Sequence, residues 1–269
     1  MTNPADFHAL TRRLRLTGTL LTRTALRIGG TGMGALDGAD LPVLRDGEGF
    51  PFIPGASLKG ALRSTIEALV RGAGLAELWT CDPHAENELA RQGACGFHKS
   101  NNRKQAEQGT DAHCAVCRLF GSRVLASHVR ISDALVSRAH AMRRPPIEVR
   151  DGVAIDRDLG VVFRGQKYDF EVITPGIYFD LELFIDNPQD WQLGLLLLGL
   201  DQISDGFTAL GGFSSRGLGR VELAWSEFHE RTASDLFTNA PGRMLGPGDL
   251  RTEFSRWRDA LAGHAARSA

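Results

Sequence analysis

The sequence predicts an α+β fold. Residues 13–28 alternate with period two, and residues 57–70 and about 190–208 repeat at helical spacing. Strand and helix patterns then follow in the order strand, helix, strands, strand, helix, strand. That order fits a βαββαβ, ferredoxin-like core. The 269 residues suffice for one large domain with a sizeable core. We read 1–269 as a single domain with insertions at 75–118 and 143–176 and a C-terminal helical extension at 227–269.

Each element has its own signal. In "RLRLTGTLLTRTALRI" (13–28), Leu14, Leu16, Leu20, Leu26 and Ile28 share one parity, the mark of a half-buried strand. The glycine-rich loop "GGTGMGALDGAD" (29–40) follows, then a short strand, an Asp46-Gly47 turn and an extended segment ending in proline. Ser57 is the expected cap of a helix starting after Pro54-Gly55. Its apolar face is Leu58, Ala61, Leu62, Ile66, Leu69 and Val70, and Gly72 and Gly74 end it. Residues 119–137 read as strand-rich, and 143–176 as one long hairpin turning near Asp158-Leu159-Gly160. Phe179, Leu181, Leu183 and Ile185 alternate again. The second helix carries Trp191, Leu196, Leu197, Leu200, Ile203 and Phe207. The loop "ALGGFSSRGLGR" (209–220) leads into the strand "VELAW", and a last amphipathic helix spans about 249–262.

Composition narrows the function classes. Net charge is -1, so a nucleic-acid surface has to be local. The longest apolar run, "LGLLLLGL" (193–200), is too short for a bilayer, and "MTNPADFHALTRR" lacks the order of a signal peptide. A cytoplasmic, membrane-free protein is expected. In that compartment four cysteines read as metal ligands or free thiols rather than disulfides.

Several constellations bear chemistry. Cys81, Cys95, Cys114 and Cys117 lie in a polar segment with little to bury, and "CAVC" has zinc-knuckle spacing. A structural zinc is favoured over free thiols, with His84, His98 and His113 as substitute ligands. Lys59 and Arg63 share a face near a helix start, where cations oppose the helix dipole unless an anion is bound. Arg63 alternatively pairs with Glu67. The loop "GGFSSRGLGR" combines Gly211, Gly212, Gly217 and Gly219 with Arg216 and Arg220, suiting an anion nest or a tight turn. It runs helix-loop-strand, which excludes a P-loop and a dinucleotide fingerprint. Asp37 and Asp40 either bind a divalent ion, handle a proton, or simply form turns. The hairpin interleaves Arg143, Arg144, Arg150, Arg157, Arg164 and Lys167 with apolar residues, fitting a wedge between bases or a solvated edge.

Taken in order, "IGG", "DGADLPVLRD", "FIPGASLKGALRS", "CRLFGS", "RISDA", "DGVAIDRDLGVV", "YDFEVITPGIYF" and "GGFSSRGLGRVEL" resemble the RAMP superfamily, specifically the backbone subunit of type III CRISPR effector complexes. The resemblance covers about residues 14–225. It implies an RRM-derived, ferredoxin-like core, copies of the chain stacked as a filament along a guide RNA, and other type III effector subunits as partners. The hairpin matches a thumb that crosses the guide-target duplex. The Asp preceding "-PV" matches Asp40, implying a role in target-RNA cleavage assisted by Mg²⁺ or another divalent ion; Asp37 is the second choice. The Cys-rich segment is similar to a zinc-bearing insertion of some members. The implied RNA contacts are Ser57, Lys59 and Arg63 at the helix start, then Gly212, Ser215, Arg216, Gly217 and Arg220 in the glycine loop, with Arg150 and Arg157 on the hairpin. The two glycine-marked bends would form one cradle for the guide. Two other readings stand beside cleavage: a non-catalytic guide-binding filament subunit, and a guide-precursor processing endoribonuclease.

Overall fold

A computed structural model describes residues 7–30, 39–76, 78–82, 84, 94–95, 113–138 and 144–267. The elements are β1 (Arg12–Thr22), β2 (Phe52–Ile53), α1 (Gly55–Ala73), α2 (Ala115–Phe120), β3 (Val129–Ile131), β4 (Ala134–Leu135), β5 (Ile147–Ile155), β6 (Val162–Ile173) and β7 (Tyr178–Asp186). They continue with α3 (Asp190–Ser204), β8 (Val221–Thr232), α4 (Ala233–Thr238), β9 (Arg243–Leu245) and α5 (Pro247–Ala266).

Five strands form one sheet in the order β3-β7-β1-β8-β9, each neighbouring pair antiparallel. Leu14, Leu16 and Leu20 of β1 sit opposite Ile185, Leu183 and Phe179 of β7, and all six are buried. One face of the sheet is therefore apolar, and α1 and α3 cover it in a single core. At Gly18 the pairing of β1 with β8 shifts register, and a Cβ there would lie 2.3 Å from the Ala224 carbonyl oxygen. Strands β5 and β6 form a separate ribbon, as do β2 and β4.

Helix α3 is buried almost all round because α5 packs on it from outside. Gly194 admits the α5 backbone, since a Cβ would stand 2.2 Å from the Trp257 carbonyl oxygen, and Gly199 lies against Ile66 of α1. That accounts for an apolar run too short to span a bilayer. Among the described residues no helix is long and apolar enough to cross a membrane. Glu253 anchors α5: buried, it pairs with Arg243 at 2.6 Å and with Arg256.

Four boundaries differ from the sequence reading. Helix α1 begins at Gly55, so Ser57 lies inside its first turn and is exposed instead of capping. Asp133 takes that role, its Oδ1 accepting the Gly55 N–H at 2.8 Å. The cause is tertiary, because Gly55 presses on β3 where a Cβ would meet the Ile131 carbonyl oxygen at 2.0 Å. Leu119 and Phe120 are helical, since the Cys114 sulfur caps α2 by accepting the Cys117 N–H. Helix α3 ends at Ser204, leaving Phe207 exposed. Residues 227–232 continue β8, so the C-terminal extension is strand, short helix, strand and helix.

Two stability effects follow. Gly55→Ala should cost about 2–3 kcal/mol by forcing α1 off β3, whereas Gly60→Ala, open on the helix exterior, should gain about 0.5–1 kcal/mol; urea unfolding of both variants reads the contrast. Burial alone would raise the Glu253 pKa, but its bonds to Arg243 and Arg256 hold it below the usual value. A depressed folded pKa stabilises above the unfolded pKa and is lost as pH falls through the carboxylate range. Glu253→Gln should therefore cost about 1–3 kcal/mol near neutrality, less than a fully buried pair because both guanidiniums are half-exposed. Unfolding measured down to acid pH should show the wild-type advantage vanish.

Candidate functional site

The base of the hairpin gathers parts distant in sequence. After β1 the chain lays Leu26 against Ile173, with N–H···O bonds of 3.0 and 2.7 Å in the two directions. Beyond the first glycine loop it returns alongside β6 in parallel. The Leu41 N–H donates to the Asp169 carbonyl at 3.1 Å, and the Glu171 N–H to the Leu41 carbonyl at 3.0 Å. Buried Glu171 secures the return by accepting the Val43 N–H at 3.0 Å and pairing with Arg45 at 2.7 Å. Beneath lies a small apolar cluster of Ala25, Phe170, Val172 and Leu218, with Leu41, Tyr168 and Phe213 against it.

These pairings place Asp40. Its carboxylate is exposed, and Oδ2 accepts the Asp169 backbone N–H at 3.0 Å. Asp169 faces Asp151 across the ribbon, and Lys167 stands 3.2 Å from Asp151. A hydrogen bond to Asp151 raises the Asp169 pKa, with the charges of Asp151 and Asp40 adding to it. The Asp151 pKa is lowered by the same bond and by Lys167. Asp37 lies outside the described residues.

The second glycine loop closes the other side. The Gly212 N–H donates to the Arg27 carbonyl at 2.8 Å, and a Cβ on Gly211 (φ 75°) would meet that same oxygen at 2.2 Å. Phe213 takes a left-handed conformation, φ 62°, and sets its ring edge-on to Phe170 at 5.0 Å. Two guanidiniums stack on Phe213: Arg27 at 5.0 Å and Arg216 at 4.6 Å from its centroid. Arg216 also donates to the Tyr168 hydroxyl at 2.6 Å. The Arg27 Nε is buried without a hydrogen-bond partner among the described residues, and its fork lies against Gly29 and Gly212. Ser215, Gly217 and Arg220 are exposed on the same loop. On the hairpin Arg150 pairs with Glu148, and Arg157 is exposed in the turn.

The helix start is built differently. Lys59 points inward, donating to the Ser127 hydroxyl at 2.7 Å and the Val129 carbonyl at 2.8 Å. Burial, then the charge of Arg63, lowers its pKa. Arg63 binds Glu67 at 2.7 Å, the Gly121 carbonyl at 3.2 Å and the Cys117 sulfur at 3.4 Å. With Asp133 on the first helical amide, this end of α1 is closed by its own chain. It packs on β3, with β7 and β1 between it and β8, the strand that the glycine loop enters. The glycine loop itself meets the Arg27 segment and the hairpin, while α1 reaches the residue before that loop through Thr65 and Thr208 at 3.0 Å.

The four cysteines do converge. Their sulfurs lie within 4.8 Å of one another, with Cys81 to Cys117 at 3.6 Å and Cys114 to Cys81 at 3.7 Å. A tetrahedron of zinc–sulfur bonds of about 2.3 Å has edges of about 3.8 Å, so the cluster could hold a metal ion such as zinc. Thiol hydrogen bonds, chiefly from Cys117, depress the Cys114 pKa, and Cys117 is pushed up in return, chiefly by Cys114. His113 is buried beside Ser122 and His84 is exposed, neither within the sulfur cluster; His98 lies outside the described residues.

Sequence reasoning missed Arg27, Phe213, Tyr168 and the Asp151–Asp169 pair. For Arg27 the signal was its place directly before "IGG"; for the others only long-range pairing reveals the role.

The family model described as "RAMP superfamily" matches residues 19–222. The chain is similar to the CRISPR system Cms endoribonuclease Csm3 of Methanocaldococcus jannaschii, 26% identical over 77% of each chain. It is 27% identical to the protein of that name from Streptococcus thermophilus, over 87% of this chain and 94% of that one. A shorter match, 45% identical over 56 residues, is to the protein of that name from Mycobacterium tuberculosis. With a family model spanning most of its length and a hairpin base assembled from the very segments that carried the resemblance, the chain belongs to the RAMP superfamily.

Proposed function

We propose that the chain is the guide-binding backbone subunit of a type III CRISPR ribonucleoprotein and that it cuts complementary target RNA with Asp40. The observation that carries the reading is the hairpin base, where the exposed Asp40 carboxylate is fixed by the Asp169 N–H of β6, the strand that also carries Tyr168, the partner of Arg216. A ferredoxin-like core is supported by the order β8-β1-β7-β3 with α1 and α3 as the connecting helices. Copies of the chain stack along the guide beside other effector subunits, and the β5–β6 hairpin is the thumb.

In this reading Arg27, Arg216 and Arg220 meet backbone phosphates. Such contacts position a strand, while pairing between guide and target supplies sequence. Lys59 and Arg63 already spend two and three of their donors inside the chain and contribute less to it. The exposed apolar edge of the thumb, Val153, Ile155, Val161, Val162 and Phe163, suits insertion between bases. A splayed target nucleotide then presents its 2′-hydroxyl in line with the adjacent phosphorus. Attack forms the 2′-O–P bond and breaks the P–O5′ bond, leaving a 2′,3′-cyclic phosphate and a 5′-oxygen that takes a proton from water to become a hydroxyl. Asp40 orients the 2′-hydroxyl and takes its proton. A divalent ion, when bound at the free oxygen of Asp40, supplies charge to offset the phosphate. The four cysteines hold a structural zinc, which closes a segment with little core of its own.

Two outcomes test the reading. In assembled complex, Asp40→Asn should lower target cleavage by at least about a hundredfold with target binding unchanged; undiminished cutting removes Asp40 from the chemistry, and a wild-type complex that binds yet never cuts with Mg²⁺ supplied leaves a filament subunit only. Arg27→Ala with Arg216→Ala should weaken binding of guide-length RNA and flatten its salt dependence by about 1.4 in log-log slope, about 0.7 for each phosphate no longer neutralised; an unchanged slope would place the guide elsewhere.

A further inference from the structure

We infer that Arg63 is a positioning residue for the four-cysteine metal centre, its guanidinium balancing the thiolates and clasping the knuckle to α1. The inference rests on the reading of that cluster as a zinc site. Zinc bound by four thiolates carries an excess of two negative charges. Cys81, Cys114 and Cys117 are buried, so that excess lies where water screens it poorly and where an uncompensated charge is costly. Arg63 supplies a cation at the cluster itself, its Nη2 lying 3.4 Å from the Cys117 sulfur.

The rest of the fork explains why the guanidinium stays there. Nε is held by Glu67 one turn along α1, at 2.7 Å. Nη1 donates to the Gly121 carbonyl at 3.2 Å, at the C-terminal end of the knuckle helix. A planar guanidinium can serve carboxylate, carbonyl and sulfur together, which one ammonium cannot. The arrangement is that of a carboxylate orienting a second group toward a metal ligand. One turn earlier, Lys59 fastens the same α1 face to Ser127 and Val129. Helix α1 thus grips the chain from Cys117 to Val129, so the metal centre bears on the placement of β3 and Asp133.

The test uses the full-length protein purified with zinc. Wild type should hold about one zinc per chain; absence of zinc sinks the reading of the cluster and this inference with it. Given zinc in wild type, Arg63→Met should transfer it to a chelator about 10–100-fold faster. Cobalt-substituted Arg63→Met should show shifted thiolate-to-cobalt bands, because one sulfur is left without its hydrogen bond. Arg63→Lys, which keeps the charge without the fork, should fall between the two and carries the test if the Met variant does not fold. Release within about twofold of wild type in the folded variant overturns the inference while leaving the zinc site standing. So does a salt slope for RNA binding that flattens in zinc-loaded Arg63→Met, since that would put the guanidinium on a phosphate.

Discussion

The candidate site depends on a short parallel pairing, Leu41 against Phe170. Without it Asp40 would end a free glycine loop. With it, a carboxylate from one third of the chain is fixed by a backbone N–H from another. The buried Glu171 makes the pairing hard to slip, because each of its oxygens already has a partner from residues 43–45. A one-residue shift would bury that carboxylate without its bonds, a change that costs several kcal/mol. Since β6 is also one strand of the hairpin, any movement of the hairpin base carries Asp40 with it. Seating a strand against the hairpin and aligning the carboxylate are therefore one mechanical event in the proposed cleavage.

The same constraint explains what the sequence disclosed. Strand β1 was legible because one face is buried and the other is not, so period two survives in Leu14, Leu16 and Leu20. Helices α1 and α3 were legible for the corresponding reason at helical period. The cysteine cluster was legible because a polar segment with knuckle spacing has few other ways to become ordered, and the sulfurs do meet. What local pattern cannot contain is a partner brought by the fold. The start of α1 is set by Asp133 and by a close approach to Ile131, both over seventy residues away in sequence. Arg27 resembles any strand arginine until Gly29, Gly212 and Phe213 surround it.

The cations of α1 show how a sound local argument reaches the wrong partner. The helix dipole acts within the first turn. Because α1 begins at Gly55, Lys59 lies just past that turn and Arg63 a full turn further on. Their charge thus needs no bound anion to relieve the dipole. It is met instead by carbonyls, a hydroxyl, a carboxylate and a thiol of the same chain. The need for electron-rich partners is real, and the fold supplies them internally.

Charge pairing elsewhere sharpens the contrast with the hairpin base. On the open face of the sheet Arg13 and Arg130 share Asp186, and Arg15 binds Glu182. A phosphate approaching there would have to displace a carboxylate from each guanidinium, and exposed pairs return little of that cost. At the hairpin base Arg27, Arg216 and Arg220 have no carboxylate partner among the described residues, and two of them are already oriented by an aromatic ring. In the proposed reading a polyanion meets preorganised donors there and displaces no carboxylate. For a chain with net charge -1, the distribution of guanidiniums without carboxylate partners, rather than their total, decides which surface suits the proposed RNA.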